Sequence, residues 1–195
     1  MKWQIKVNRT WLAAGALVAT AAAWRVVNWH YGLAPNLEIV TASTLVAATF
    51  LGRRSAWMVP LGIMVASDVV IGNSPILLFT WSAFAVIGLA GLGLRRLTAT
   101  PGALLATSAG AGLVASLFFF LYTNFGVWLL GGGAMYPQTW GGLLQCYTMG
   151  LPFYRTMLLG NLVLVPAYFA AALYGPAAVR WLAGRARLRH WGISS

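Results

Sequence analysis

The stretch "LGRRSAWMVPLGIMVASDVVIGNSP", residues 51–75, opens beside paired arginines, runs apolar for most of its length and closes on a Gly-Asn-Ser-Pro turn. A basic edge, an apolar helix-length run and a polar turn together read as a membrane span, here over about residues 55–72. Within it stands Asp68, one of only two acidic residues in the chain. An ionised carboxylate facing lipid is costly. Asp68 is therefore expected to face the interior of a helical bundle, toward Arg25, Arg155 or an Asn or Tyr of the same layer. It lies four residues before Gly72, roughly 6 Å from the end of its span.

The rest of the chain has the same character. Of 195 residues, 60% are hydrophobic and 8% are charged, and the mean hydropathy is +0.77. Soluble domains carry about 25% charged residues, so this composition is that of an integral membrane protein. The net charge of +11 does not point to nucleic acid, because the basic residues sit in short groups between apolar runs, as topology signals do. The apolar run at 11–23 follows basic residues as a signal peptide would. It reads as an uncleaved first helix, since five more spans follow.

Spans are expected at about 10–30, 37–52, 55–72, 75–94, 103–128 and 157–182. This makes an all-α membrane protein, with residues 1–195 forming a single six-helix transmembrane domain. If the N-terminus is cytoplasmic, so are Lys2, Lys6, Arg9, Arg53, Arg54, Arg95, Arg96, Arg180, Arg185, Arg187 and Arg189. Of the thirteen bases, only Arg25 and Arg155 fall on the other side. The bias predicts that both termini are cytoplasmic, as in a multi-pass protein of the bacterial inner (cytoplasmic) membrane.

The outer layer then gathers the remaining charges: Arg25, Glu38, Asp68 and Arg155. It reads either as internal neutralisation or as a polar pocket opening outward. On the pocket reading, the substrate-binding candidates are these four residues with Tyr122, Asn124 and Trp128, which follow one membrane thickness of the fifth span. Arg155 would close over a floor made by Glu38 and Asp68. Gly131, Gly132 and Gly133 end the fifth span, and "QTWGGLLQCYTMG", residues 138–150, reads as a helix or lid over the mouth.

Three stripes of small residues recur every four positions: Gly15, Ala19 and Ala23; Thr44, Ala48 and Gly52; and Ser108, Gly112 and Ser116. They permit close helix packing, and one of them can dock a partner. Several chemistries have no support. The single cysteine, Cys146, reads as a packed small residue, and it permits neither an internal disulfide nor a cysteine metal site. His30 and His190 fall on opposite sides, so no metal site is expected. No phosphate loop, HExxH or base-activated nucleophile occurs, so neither an enzyme nor a cofactor is expected.

Three segments carry a resemblance: "APNLEIVTASTLVAATFLGRRSAWMVPLGIMVASDVVIG" at 34–72, "FFFLYTNFGVWLLGGGAMYPQTWGGLLQCY" at 118–147 and "LPFYRTMLLGNLV" at 151–163. Over about residues 33–172 the chain resembles an uncharacterised family of small bacterial membrane proteins, related to the substrate-capture (S) components of energy-coupling-factor (ECF) transporters. The resemblance implies an S-component-like bundle with an outward-opening site. It also implies docking of a coupling subunit and ATPases through Gly15, Ala19 and Ala23. In that family pattern an acid often stands where this chain has Asn161. The expected function is that of a substrate-binding membrane subunit for uptake of a small, vitamin-like metabolite. The alternative is a non-catalytic accessory subunit of a larger membrane complex. The expected partners are the lipid bilayer, a small-molecule ligand and one of these assemblies, with no nucleic acid.

Overall fold

The computed structural model describes residues 7–72, 74–98 and 100–190; the side chains of 7–9, 95 and 178–190 are not among them. Met1, Ser195 and Asn73, and the side chains of Arg95 and His190, therefore lie outside the described residues. All regular structure among the described residues is helical: α1 (Val7–Tyr31), α2 (Val40–Val46, continued by a π-helical turn, Ala47–Leu51), α3 (Arg53–Ile71), α4 (Leu77–Gly91), α5 (Leu94–Leu97), α6 (Pro101–Leu130) and α7 (Trp140–His190).

Four helical segments are long and apolar enough to cross a membrane: Thr10–Tyr31, Arg53–Ile71, Pro101–Leu130 and Trp140–Ala177. Val40–Leu51 and Leu77–Gly91 are apolar but shorter, at about 18 and 22 Å. The short α2 is the hub of the bundle. Every residue from Val40 to Thr49 is buried, and α2 packs against α1, α3, α4, α6 and α7. Its sequence, VTASTLVAAT, is mostly small or β-branched, which lets several helices approach one axis. Being enclosed by protein, α2 has no need of the length that a lipid-facing helix requires.

The second and third small-residue stripes are used here. Thr44 meets Gly88 of α4, Ala48 meets Gly91, and Gly112 of α6 lies against the Asn161 carbonyl and Val165 of α7. Gly52, at φ 98°, ends the π turn, and Gly72, at φ 84°, ends α3 by donating its N–H to the Asp68 carbonyl at 2.9 Å. Both positions need the left-handed backbone that glycine adopts without strain. Thr100 caps α6, its hydroxyl accepting from the Ala103 N–H at 3.2 Å with Pro101 in the first turn.

One expectation is met in part: within residues 138–150 the chain is helical from Trp140. It forms no separate lid there: these are the first turns of α7, which runs unbroken past the expected start of the last span at 157. The chain reverses within 131–139, where Gly132 and Gly133 take positive φ and Gly142 lets α7 pass the Pro137 backbone. The reversal is pinned by Trp128, whose indole N–H donates to the Pro137 carbonyl at 2.9 Å. Once reversed, α7 runs back along α6. The Tyr147 hydroxyl donates to the Leu121 carbonyl at 3.0 Å, and the Cys146 thiol lies 3.3 Å from the Asn124 carbonyl.

Candidate functional site

The connection between α1 and α2 is stapled back onto α1. Asn28 accepts from the Ala34 N–H at 2.9 Å and donates to the Ala34 carbonyl at 2.8 Å, while the Trp24 indole donates to the Leu37 carbonyl at 2.8 Å. This places Glu38 at the entry of α2. One carboxylate oxygen accepts from the Thr41 N–H and the other from the side-chain amide of Asn161 on α7, both at 2.8 Å. A carboxylate here also favours the amino end of the helix electrostatically. Asn161 is fully buried, and its amide also lies 3.1 Å from the Ser116 hydroxyl of α6. A neutral amide can donate to Glu38, whereas an ionised acid at the same position would repel it.

Asp68 has the polar partner expected of it. Arg25 Nη2 donates to Oδ1 at 2.7 Å, and the Trp81 indole of α4 donates to Oδ2 at 2.8 Å. Arg25 Nε donates to Ser67 Oγ at 2.8 Å. Three helices, α1, α3 and α4, are thus tied at one carboxylate, which is 7% exposed beside a guanidinium 23% exposed.

Both acids and Arg25 open onto one cleft of about 710 Å³. Its wall continues through Phe84, Phe119 and Met157. Asn36, Ile76, Thr80, Phe119 and Met157 also line a second lobe of about 210 Å³. That lobe is aromatic, with Phe120, Phe153 and Tyr154 in its wall and Asn124 at its edge; the Phe120 and Tyr154 rings stack at 4.7 Å. The two lobes form a cleft with a charged end and an aromatic end, within the size range of small-metabolite sites.

Of the expected binding residues, Arg25, Glu38 and Asp68 meet in the charged lobe and Asn124 lines the aromatic one. Tyr122 is not in the lining. It packs on Phe79 and Phe118 and accepts from the Ser82 hydroxyl. Trp128 pins the chain reversal instead. Arg155 is exposed and lines neither lobe, so it does not close over Glu38 and Asp68. The reason is helical register. Gly150, Tyr154 and Met157 form the inward stripe of α7, with the half-exposed Phe153 at its edge, and Arg155 is turned about 100° from Tyr154. We therefore expect Arg155→Lys to leave ligand affinity within about 0.5 kcal/mol of the parent, measured by titration calorimetry.

The sequence reading missed Ser67, Trp81, Phe119 and Tyr154, and gave Asn161 no contact. Asn161 carried a signal of its own, being the one amide in the apolar run 157–167. The others look like ordinary span residues until neighbouring helices are placed. The small-residue stripe of α1 is also decided here: Gly15, Ala19 and Ala23 are all exposed, so this stripe packs no helix of the bundle.

No curated protein and no solved structure matches the chain. Residues 5–180 match a family of unknown function, DUF6580, and over that length the chain belongs to this family.

Proposed function

We propose that this protein is the solute-binding membrane subunit of an uptake system for a small metabolite, with six spans, both termini cytoplasmic and the cleft open to the outside. The observation that carries the proposal is the two-lobed cleft, which gathers Arg25, Glu38, Asp68 and six aromatic side chains at one end of the bundle. Pockets with a few convergent polar groups set in an apolar wall are the usual form of small-molecule sites. The charge distribution supports the orientation: Arg53, Arg54 and Arg96 lie exposed at the opposite end, as cytoplasmic edges do. The reading assigns the protein no chemistry of its own. Energy comes from partners of the ECF coupling type, in the bacterial inner membrane.

Native mass spectrometry of the purified full-length protein tests the proposal. A bound small metabolite, with an ATPase pair co-purifying, is the expected result. A ligand-free protein co-purifying with a large redox assembly overturns it in favour of an accessory subunit.

Docking of the coupling subunit is assigned to the exposed face of α1. A side chain added at Gly15 meets nothing within 4 Å, and Ala19 is equally open. The double substitution Gly15→Leu and Ala19→Leu should change folded stability by less than about 0.5 kcal/mol while abolishing co-purification of the coupling partner. Retained co-purification would move the docking surface elsewhere.

A further inference from the structure

We infer that the ligand of this cleft is a small organic cation, its charged group held by Glu38 and its apolar part lodged among Phe119, Phe120 and Tyr154. The inference rests on the solute-binding reading above and adds the ligand's charge.

The argument is one of electrostatic balance. Among the described residues, the charged side chains lining the two lobes are Arg25, Asp68 and Glu38. Arg25 and Asp68 cancel, their nitrogen and oxygen 2.7 Å apart. Glu38 has no cation within ion-pair distance among the described residues. Both its oxygens accept from neutral N–H donors, which orient a carboxylate without cancelling its charge. A further carboxylate lone pair remains on each oxygen for a ligand.

Helix dipoles do not restore the balance. The amino ends of α2 and α4 reach this end of the bundle with the carboxyl ends of α1 and α3, so the partial charges offset one another in pairs. The register of α7 removes Arg155, the other base that an anion would have needed. The aromatic lobe carries the same preference, because ring faces attract cations and repel anions. With Arg155 in the cleft, the same residues would have suited a carboxylate or phosphate; without it, the excess charge is negative.

Three matched probes test the sign of the ligand charge on the full-length protein in detergent, by titration calorimetry: 2-phenylethylamine, neutral 2-phenylethanol and anionic phenylacetate. The amine should bind at least about tenfold more tightly than phenylacetate. Glu38→Gln should bring the amine down to the level of the alcohol. In that variant the Asn161 amide can turn its free oxygen toward the new donor, so the hydrogen bond survives the loss of charge. Glu38→Asp should keep the amine ahead of phenylacetate with reduced affinity, which loss of fold would not produce. Phenylacetate binding as tightly as the amine, or an amine affinity untouched by Glu38→Gln, overturns the cation inference and leaves solute binding standing. If none of the three probes binds and no metabolite co-purifies, both fall.

Discussion

Gly88→Val should yield no folded protein. A Cβ at residue 88 would fall inside the van der Waals envelope of the Ala56 carbonyl oxygen on α3, with Thr44 of α2 at 3.1 Å on the other side. The obstacle is backbone, which cannot rotate away as a side chain does. Relief therefore requires α4 to move off both α3 and the central α2. Overpacking ordinarily costs about 1–3 kcal/mol. Here two helix interfaces open together, and the loss should reach at least the upper end of that range. Gly88→Ala, carrying the same Cβ, should show most of the effect. Gly110→Ala is the control: nothing lies within 4 Å of a side chain there, and a helical glycine replaced by alanine gains up to about 1 kcal/mol. The folded yield of Gly88→Val, and thermal melts of Gly88→Ala, Gly110→Ala and the parent in one detergent, would check the order. A Gly88→Ala protein as stable as the parent would mean that α3 and α4 do not approach as described.

The second large effect is expected at the acid in the third helix. Asp68→Asn should destabilise the protein by about 3 kcal/mol, the lower end of the cost of breaking a buried pair, because Arg25 retains some exposure. The amide can accept from Arg25 or from Trp81, but its NH2 must then face the other donor. The guanidinium loses its counter-charge in either case. Because the loss comes mainly from the charge left behind, removing both partners should cost less than the two single changes added. The double variant Arg25→Met with Asp68→Leu would measure this in a mutant cycle. Strict additivity would show that the pair contributes nothing as a pair, and that Asp68 acts through its other partners, Trp81 and Ser67 among them.

The two variants probe different layers of the same design. Gly88 holds the helices at the distance that encloses α2, and Asp68 ties α1, α3 and α4 around the cleft mouth. Neither contacts the aromatic lobe. Gly88 lines neither lobe, so a loss of ligand binding in its variants should track loss of folded protein, whereas Asp68→Asn, which leaves the Arg25 charge uncancelled in the cleft, and the Glu38 variants should separate the two.

By itself the sequence determined the helical class, the membrane setting and the apolar runs that become the helices. These follow from hydropathy and from the cost of burying charge, which act along the chain and need no neighbours. It also determined that Asp68 must be paired, and Arg25 was among the partners it offered. The tertiary structure alone decided which small-residue stripes are spent on packing, since Thr44, Ala48 and Gly112 look no different from Gly15 and Ala19 until helices are placed beside them. It alone showed α7 running unbroken from Trp140. The glycines before it mark a reversal, but its length depends on what the reversed chain packs against. That continuity set the register that turns Tyr154 into the cleft and Arg155 out of it. A rotation of about 100° between adjacent residues on a helix thus decides whether the cleft carries an uncompensated negative charge, and no count of charges along the chain contains that angle.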